Sequence, residues 1–262
     1  MSLVVAIKDK DRIVLGADKQ ASTGGTKDHT NTKIWKLEEL PGAIIGSVGS
    51  ARASQIIQYS QVIDKNLITD NIDTTFVVRV LAPTLANGLR SNGIVVDHAD
   101  GSKCDMMPNA FIFAYKNKAW TIWHDLSVSE IENYFAIGSG SDVARGALFA
   151  TPENNPFDRI VTCIEAAAES TLYVDNDIDL LATNSYKDDL KDMAIALGLP
   201  VPKPKKPRTK KVVEEKTEDV NLIHSYFIID IWSVETTEET KRYLLQYCNE
   251  TRNLIRKEFF GM

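Results

Sequence analysis

Short apolar runs alternate with amphipathic stretches along most of the chain. Residues 3–7 and 13–17 are apolar, and the five residues between them, 8–12, are all charged. This pattern predicts a β-hairpin at the start of the chain. With the turn centred on Lys10, Ser2 lies opposite Asp18, and the Cβ atoms of directly opposed residues are about 5 Å apart.

The rest of the pattern divides into groups of strands and groups of helices. Strands are predicted at residues 33–37, 43–48, 110–115, 118–123, 134–137 and 178–182, and a Gly/Ser/Thr-rich loop at residues 22–26. Helical spacing covers residues 49–64, 76–92, 142–149 and 155–168, and Pro83 is expected to kink the second of these helices. Helices gathered in pairs between strand groups predict an α+β fold with four layers, an αββα sandwich. The alternative is an ordinary two-layer α+β domain.

The pattern changes after residue 183, where we predict the boundary between a main domain, 1–183, and a C-terminal extension, 184–262. The extension begins with a predicted helix at residues 187–199. Residues 200–211 contain four prolines and six basic residues, and an acidic run follows, so residues 200–219 are predicted to be a linker. A strand at residues 222–232 and a helix from residue 235 onwards complete the predicted extension.

Composition narrows the classes of function. The chain has 262 residues, 44% hydrophobic and 25% charged, as in ordinary globular proteins. Its net charge of −6 disfavours nucleic acid as the main partner. The sequence shows no signal peptide and no membrane-spanning stretch, so we expect a cytoplasmic protein. We expect no cofactor or metal, because neither the cysteines nor the histidines have metal-ligand spacing: Cys104, Cys163 and Cys248; His29, His98, His124 and His224.

The N-terminus offers a candidate nucleophile. Removal of Met1 before the small residue Ser2 would leave Ser2 with a free α-amine. An N-terminal hydroxyl residue can use its own α-amine as the base, and the ordinary pKa of that amine, about 7.7–8.0, suits proton transfer near neutral pH. A lysine held by Asp18 would lower this pKa further. The alternative is structural: serine is common after a start methionine, and Asp18 caps the end of a strand.

Five motifs carry a resemblance to a known family. They are Ser2-Leu-Val-Val-Ala-Ile, Ile13-Val-Leu-Gly-Ala-Asp18-Lys-Gln-Ala-Ser22, Asn31-Thr-Lys33-Ile34, Ile45-Gly46-Ser-Val-Gly49 and Gly138-Ser139-Gly-Ser-Asp-Val-Ala-Arg-Gly146. Together, and in this order over residues 2–183, they resemble the proteasome β-subunit and HslV peptidase family. That family consists of N-terminal nucleophile hydrolases with the αββα sandwich fold.

The resemblance implies catalytic roles for four side chains. Ser2 takes the place of the family's catalytic N-terminal threonine. Asp18 and Lys33 match the aspartate and the active-site lysine that pair in the family. Ser139 matches the serine that hydrogen-bonds around the N-terminal amine. Serine in place of threonine lacks the methyl group that orients the hydroxyl, so slower peptide cleavage is expected.

The resemblance also implies an oxyanion donor and a substrate pocket. Gly46 matches the glycine whose backbone N–H forms the oxyanion hole. Three residues match positions near the first specificity pocket and imply a mainly apolar preference: Ala21, Ile44 and Val48. The family's Asp-x-x-Ser-Gly pattern is not present in residues 171–177, where Asp175 and Asp177 are the candidate replacements.

The leading interpretation is therefore a proteasome-like peptidase that cleaves peptide bonds through an acyl-enzyme on Ser2. Its expected substrates are peptides or unfolded proteins, and its expected assembly is a homo-oligomeric ring. A separate AAA+ ATPase is a candidate partner, because the chain itself has no GxxxxGK[ST] motif. Nucleic acid and membranes are not expected partners. Two alternatives stay open: a small-molecule amidase with the same nucleophile, and a non-catalytic scaffold subunit.

Overall fold

The computed structural model describes residues 2–23, 26–28, 32–60, 62–64, 66, 72–94, 106–186 and 189–200. It begins with the predicted hairpin, strands β1 (Leu3–Asp9) and β2 (Arg12–Asp18), in which every residue from Leu3 to Ile7 is buried. Lys10 adopts a positive φ of 56° in the tight turn between the strands. The hairpin is therefore a central element of the core.

The register of this hairpin differs from the predicted one by one residue. Val4 lies opposite Ala17 and Asp9 lies opposite Arg12, so the turn contains both Lys10 and Asp11. A two-residue turn is the commonest connection in a hairpin, and it shifts every pair relative to a turn centred on one residue. The prediction that Ser2 lies opposite Asp18 is therefore wrong. The Asp18 carboxylate instead accepts a hydrogen bond from the Leu3 N–H, at 2.8 Å.

Two larger sheets organise the described residues. The first has the strand order β10-β1-β2-β11, with β10 at Tyr134–Gly138 and β11 at Ile178–Ala182. The second has the order β5-β6-β7-β8-β9, and its strands are Ile34–Lys36, Ala43–Gly49, Asn109–Tyr115, Lys118–Ile122 and Val128–Glu130. Neighbouring strands are antiparallel in both sheets. The sequence pattern did not predict β9.

A third, two-stranded sheet lies within the segment predicted to be a loop. It pairs β3 (Ala21–Thr23) with β4 (Thr26–Asp28), and Thr23 lies opposite Thr26. A loop was predicted because the segment is polar in composition. Strand prediction depends on apolar alternation, which short polar hairpins lack.

The first group of helices follows β6. Helix α1 (Ala51–Tyr59) begins at the N-cap Ser50 and ends earlier than the spacing predicted. Helix α2 (Thr74–Phe76) continues through a π-helical turn, Val77–Leu81, into α3 (Ala82–Ser91). The wide π turn ends two residues before Pro83, which has no backbone N–H for a helical hydrogen bond and whose ring clashes with the preceding turn of a regular helix.

The second group of helices packs on the first sheet. Helix α4 (Ser141–Ala150) follows β10, and helix α5 (Pro156–Ser170) is capped by the side chain of Asn155. Helix α6 (Asp189–Ala196) follows β11. All three were predicted, within a few residues of their ends.

Three apolar clusters hold these elements together. One joins the second sheet to helices α1–α3 and contains Trp35 and Trp120. Another joins the first sheet to helices α4 and α5 and contains Phe157. The third contains side chains of both sheets, including Val4 and Ile112, so the two sheets pack on each other.

The chain divides into two compact units, Met1–Leu197 and Gly198–Met262. The first unit continues past residue 183, where the predicted boundary lies, because α6 is attached to the hairpin. The Arg12 guanidinium contacts the Asp189 carboxylate at 2.5 Å and stacks on the Tyr186 ring. The predicted linker at 200–219, strand at 222–232 and helix from 235 lie outside the described residues after Pro200.

Candidate active site

A buried ion pair lies at the end of the N-terminal hairpin. The ammonium group of Lys33, just before β5, is 2.7 Å from Oδ1 of Asp18, the last residue of β2. The same oxygen accepts the Leu3 N–H, and Oδ2 accepts the Gln20 N–H at 3.2 Å. Asp18 is completely buried and the Lys33 side chain is 7% exposed. The sequence therefore brings two distant charges together beside the Ser2–Leu3 peptide.

Burial shifts the pKa of both partners. Desolvation raises the pKa of Asp18, against the opposing effects of Lys33 and of the Leu3 hydrogen bond. Desolvation likewise lowers the pKa of Lys33, against the attraction of Asp18, Asp175 and Asp179. Such perturbed groups are costly to bury and are concentrated at functional sites. The pair is therefore a candidate catalytic centre.

The backbone of Ser2 is held by the turn after β10. The Ser139 N–H donates to the Ser2 carbonyl at 2.8 Å, and Leu3 lies opposite Gly138 in the ladder. Gly138 has a positive φ of 101°, and a Cβ there would collide with the Ser2 carbonyl oxygen. Only glycine fits this close approach without strain. The structure thus brings Ser2, Asp18, Lys33 and Ser139 to the same end of the first sheet.

Gly46 does not lie in the position that its expected role requires. It is buried in the middle of β6, opposite Ile34 on one side and Ile112 on the other. A Cβ on Gly46 would be 2.6 Å from Val4 Cγ1, so this glycine serves the close packing of the two sheets. Its N–H points to a neighbouring strand and is not accessible to a substrate. The oxyanion-hole prediction for Gly46 is therefore wrong.

A second glycine terminates the same strand. Gly49 is exposed, has a φ of 126° and immediately precedes the N-cap of α1. Val48 beside it packs close to Gly138, where a Cβ would be 3.1 Å from Val48 Cγ1. The end of β6 that carries Gly49 therefore lies nearer to Ser2 than Gly46 does. Sequence reasoning missed this residue, although its place at a strand-to-helix junction was a usable signal.

The three predicted pocket residues have different surroundings. Ile44 is 1% exposed and belongs to the cluster between the sheets, so its assignment to a substrate pocket is wrong. Val48 belongs to the same cluster but lies at the strand end, against Gly138. Ala21 is half-buried at the start of β3. Ile44 is near the start of β6 and faces the opposing sheet, whereas Val48 is near the strand end that lies against Gly138.

Additional charges surround the ion pair. The Lys19 ammonium is 3.4 Å from Asp177 and 3.9 Å from Asp179. Asp175 acts electrostatically on both Asp18 and Lys33, and so it is the better of the two candidate replacements near the site. Desolvation raises the pKa of Asp179 to about 6. Sequence reasoning missed Asp179 and Lys19, although an acidic residue inside the apolar strand β11 was a visible signal.

Other reactive side chains in the described part of the chain have structural surroundings. Cys163 is buried in α5, and burial raises the pKa of its thiol to about 12, which makes it a poor nucleophile. His124 contacts the Met107 carbonyl through Nδ1 at 3.0 Å. Across the described ranges, no cluster of His, Cys, Asp and Glu could hold a metal ion. The same ranges contain no helix long and apolar enough to cross a membrane.

No family model and no curated protein matches the chain. Solved structures do match. BPH from Thiobacillus denitrificans is 21% identical, and the match covers 71% of this chain and 100% of BPH with a TM-score of 0.57. The complex of that protein with epoxomicin matches at 19% identity over 69% of this chain and 97% of BPH, with a TM-score of 0.54.

Two further structures resemble the chain over the same extent. Eukaryotic HslV from Trypanosoma brucei is 19% identical, covers 69% of this chain and 98% of its own, and has a TM-score of 0.50. The helical assembly of the Anbu complex from Pseudomonas aeruginosa is 14% identical, and the match covers 69% of this chain and 80% of the Anbu chain with a TM-score of 0.51. The chain therefore has the mixed α and β fold of HslV and the proteasome-like proteins, the family that its motifs resemble.

Proposed function

We propose that the chain is a proteasome-like peptidase of the N-terminal nucleophile hydrolase class, with Ser2 as its nucleophile. The observation that carries this proposal is the buried Asp18–Lys33 pair, whose carboxylate binds the backbone directly after Ser2. A buried pair of charges is hard to explain as a stabilising device alone, since apolar residues of similar volume often serve as well. The likeness to HslV and BPH supports the fold on which this chemistry depends.

Removal of Met1, which lies outside the described residues, exposes the α-amine of Ser2 in this mechanism. The amine takes the proton of the Ser2 hydroxyl as Oγ attacks the carbonyl carbon of the scissile peptide bond. The charge of Lys33, oriented by Asp18, stabilises the developing negative charge. The amine then returns the proton to the leaving nitrogen, which leaves an ester on Ser2. Water hydrolyses that ester through the same base.

The tetrahedral oxygen requires a backbone donor, which we assign to Gly49 in place of Gly46. An oxyanion donor must be accessible and aimed in advance, and removal of one such donor typically costs about 3–4 kcal/mol of transition-state stabilisation. Gly49 is exposed at the end of β6, next to Val48 and its contact with Gly138. Ser139 supports the nucleophile through its N–H bond to the Ser2 carbonyl. Ala21 and Val48 remain the proposed contacts for an apolar substrate side chain.

The finer architecture and the assembly belong to the same proposal. The three apolar clusters support an αββα order of four layers, with helices outside two packed sheets. A homo-oligomeric ring would keep the nucleophile away from folded proteins. Peptides or unfolded proteins are the proposed substrates, and a separate AAA+ ATPase is the proposed feeding partner.

The test combines mass spectrometry with kinetics. Intact mass of the purified protein is expected to show loss of Met1, and epoxomicin is expected to add to the N-terminal peptide. Ser2→Ala should abolish both the labelling and peptide cleavage, whereas Ser2→Thr should retain both. Ser129→Ala, an exposed serine on β9, is the matched control and should behave as the wild type.

The alternatives predict different results. Retained Met1 with no labelling would indicate a scaffold subunit. Labelling of Ser2 with turnover of simple amides but not of peptides would indicate a small-molecule amidase. Undiminished peptide cleavage by Ser2→Ala would refute the catalytic assignment outright.

A further inference from the structure

A buried polar network surrounds the turn between β6 and α1, and its centre is Asn109. Asn109 is the first residue of β7, is completely buried and lies opposite Gly49 in the ladder. Its amide oxygen accepts the Ser50 N–H at 3.0 Å, and its amide nitrogen donates to the Ser50 carbonyl at 3.1 Å. One side chain therefore binds both backbone groups of Ser50.

Two serines complete the network. The Asn109 amide nitrogen also contacts Ser47 Oγ at 2.8 Å and Ser54 Oγ at 3.1 Å. The Ser54 hydroxyl contacts Ser47 Oγ at 3.0 Å and the Ser50 carbonyl at 3.2 Å. The amide has two protons, so these three acceptors share them. The partners also fix the orientation of the amide, because a backbone N–H can only donate.

The network acts on the peptide that follows Gly49. In a regular ladder the neighbouring strand binds the N–H and the C=O of one residue, and here the Asn109 side chain performs that function where the strand ends. Gly49 is also confined, since a Cβ there would collide with the Pro108 carbonyl oxygen and would lie 3.1 Å from Asn109 Cγ. The Gly49–Ser50 peptide is thus held between the backbone and the side chain at the start of β7.

We infer that Asn109 is a positioning residue that fixes the Gly49–Ser50 turn for stabilisation of the oxyanion at Ser2. This inference rests on the proposed function. Burying an amide costs the desolvation of its polar atoms, a penalty that a simple apolar contact does not carry and that a full set of hydrogen bonds must offset. The cost is explained if the donor at the end of β6 must not move during the reaction, because preorganisation is the source of oxyanion catalysis. Asn109 itself contacts neither substrate nor nucleophile.

The test compares three variants in the full-length protein. Asn109→Ala removes both contacts to Ser50. Asn109→Asp keeps the acceptor for the Ser50 N–H but removes the donor to the Ser50 carbonyl. This variant takes the place of Asn109→Ala if the alanine variant does not fold. Ser54→Ala keeps both amide contacts to Ser50 and is the matched control from the same network.

We expect Asn109→Ala and Asn109→Asp to lower kcat by about 10- to 100-fold with KM unchanged, somewhat less than the loss of an oxyanion donor itself. Affinity for a peptide aldehyde, which forms a tetrahedral adduct with Ser2, should fall in parallel. Affinity for the unreactive peptide amide of the same sequence should not change. Ser54→Ala should stay within about twofold of the wild type in each measurement.

Amide hydrogen exchange measures the turn without any need for activity. We expect exchange of the Ser50 N–H to be at least about tenfold faster in Asn109→Ala than in the wild type. Unchanged exchange, unchanged kcat, or an equal loss of affinity for the aldehyde and the unreactive amide would overturn the inference. A wild type that neither cleaves peptides nor prefers the aldehyde would refute the proposed function and, with it, the catalytic role of Asn109. The exchange result would then still show whether Asn109 holds the turn.

Discussion

Asp179 provides a test of the electrostatics around the site. It lies on β11 opposite Ala17, its side chain is 14% exposed, and its carboxylate is 3.9 Å from the Lys19 ammonium. Lys33 also attracts its charge, more weakly than Lys19 does. Burial raises its pKa from the ordinary value of 3.8 to about 6, because desolvation outweighs the attraction of Lys19 and the nearby charge of Asp177 adds to it. The perturbation is Asp179→Asn, which keeps the shape and removes the charge.

The magnitude follows from proton linkage. An acid whose pKa is raised by folding favours the folded state when protonated, so its stabilising effect is present below pH 3.8 and is lost as the pH rises through about 6. The difference between the two pKa values, at about 1.4 kcal/mol for each pH unit, corresponds to about 3 kcal/mol. We therefore expect Asp179→Asn to raise the free energy of unfolding by about 3 kcal/mol at pH 8 and by less than about 1 kcal/mol at pH 4.

Urea denaturation of the wild type and the variant at both pH values measures this difference. Asp177→Asn is the control: its side chain is 45% exposed, so solvent screens its charge and the expected change is below about 1 kcal/mol at either pH. An equal gain for Asp179→Asn at pH 4 and pH 8, or a loss at pH 8, would refute the reasoning. A loss at pH 8 would mean that folding stabilises Asp179 as a carboxylate, and an equal gain would mean that its ionisation is not linked to folding.

Two further predictions concern the glycines and the buried ion pair. Gly138→Ala should lower the melting temperature and the rate of Ser2 labelling, because the added Cβ would collide with the Ser2 carbonyl. Gly146→Ala is the control: a Cβ at this position on α4 would have no neighbour within 4 Å, so the variant should be more stable by about 0.5–1 kcal/mol. A similar loss of stability in both variants would contradict this prediction. Lys33→Met should lower the free energy of unfolding by about 3–5 kcal/mol, because it leaves the buried Asp18 carboxylate without its ion-pair partner. In urea denaturation, the double variant with Asp18→Asn should recover most of that loss. Additive effects of the two substitutions would show that the two charges do not interact.

Periodicity was sufficient for most of the fold. Short, nearly continuous apolar runs predicted β1, β2 and β6–β8, because these strands are buried on both faces along most of their length. It could not predict β9 (Val128–Glu130), whose residues are half-buried or exposed and so carry no apolar period. The hairpin register also depended on one residue of turn length, which the run of five charges left undetermined.

The candidate site was predictable only in part. The motifs correctly brought Asp18 and Lys33 together, since each lies at a strand end that the apolar pattern marks. They could not distinguish Gly46 from Gly49, because a glycine inside a packed strand and a glycine at a strand end look alike in sequence. Asn109 could not be recognised either, because its proposed positioning role depends on contacts with residues about sixty positions away.

The attachment of α6 to the hairpin has a consequence for where the folded unit ends. Arg12 is 3% exposed, and it is surrounded by the carboxylates of Asp9 and Asp189 and by the rings of Phe157 and Tyr186. A chain cut after residue 183 would keep this cation in the interior with half of its counter-charge and without the Tyr186 ring above it. The hairpin that begins next to the proposed nucleophile is thus secured at its turn end, through Arg12 of β2, by a segment outside the five motifs. Residues 184–197 are accordingly part of the first folded unit, although all five motifs end before residue 184.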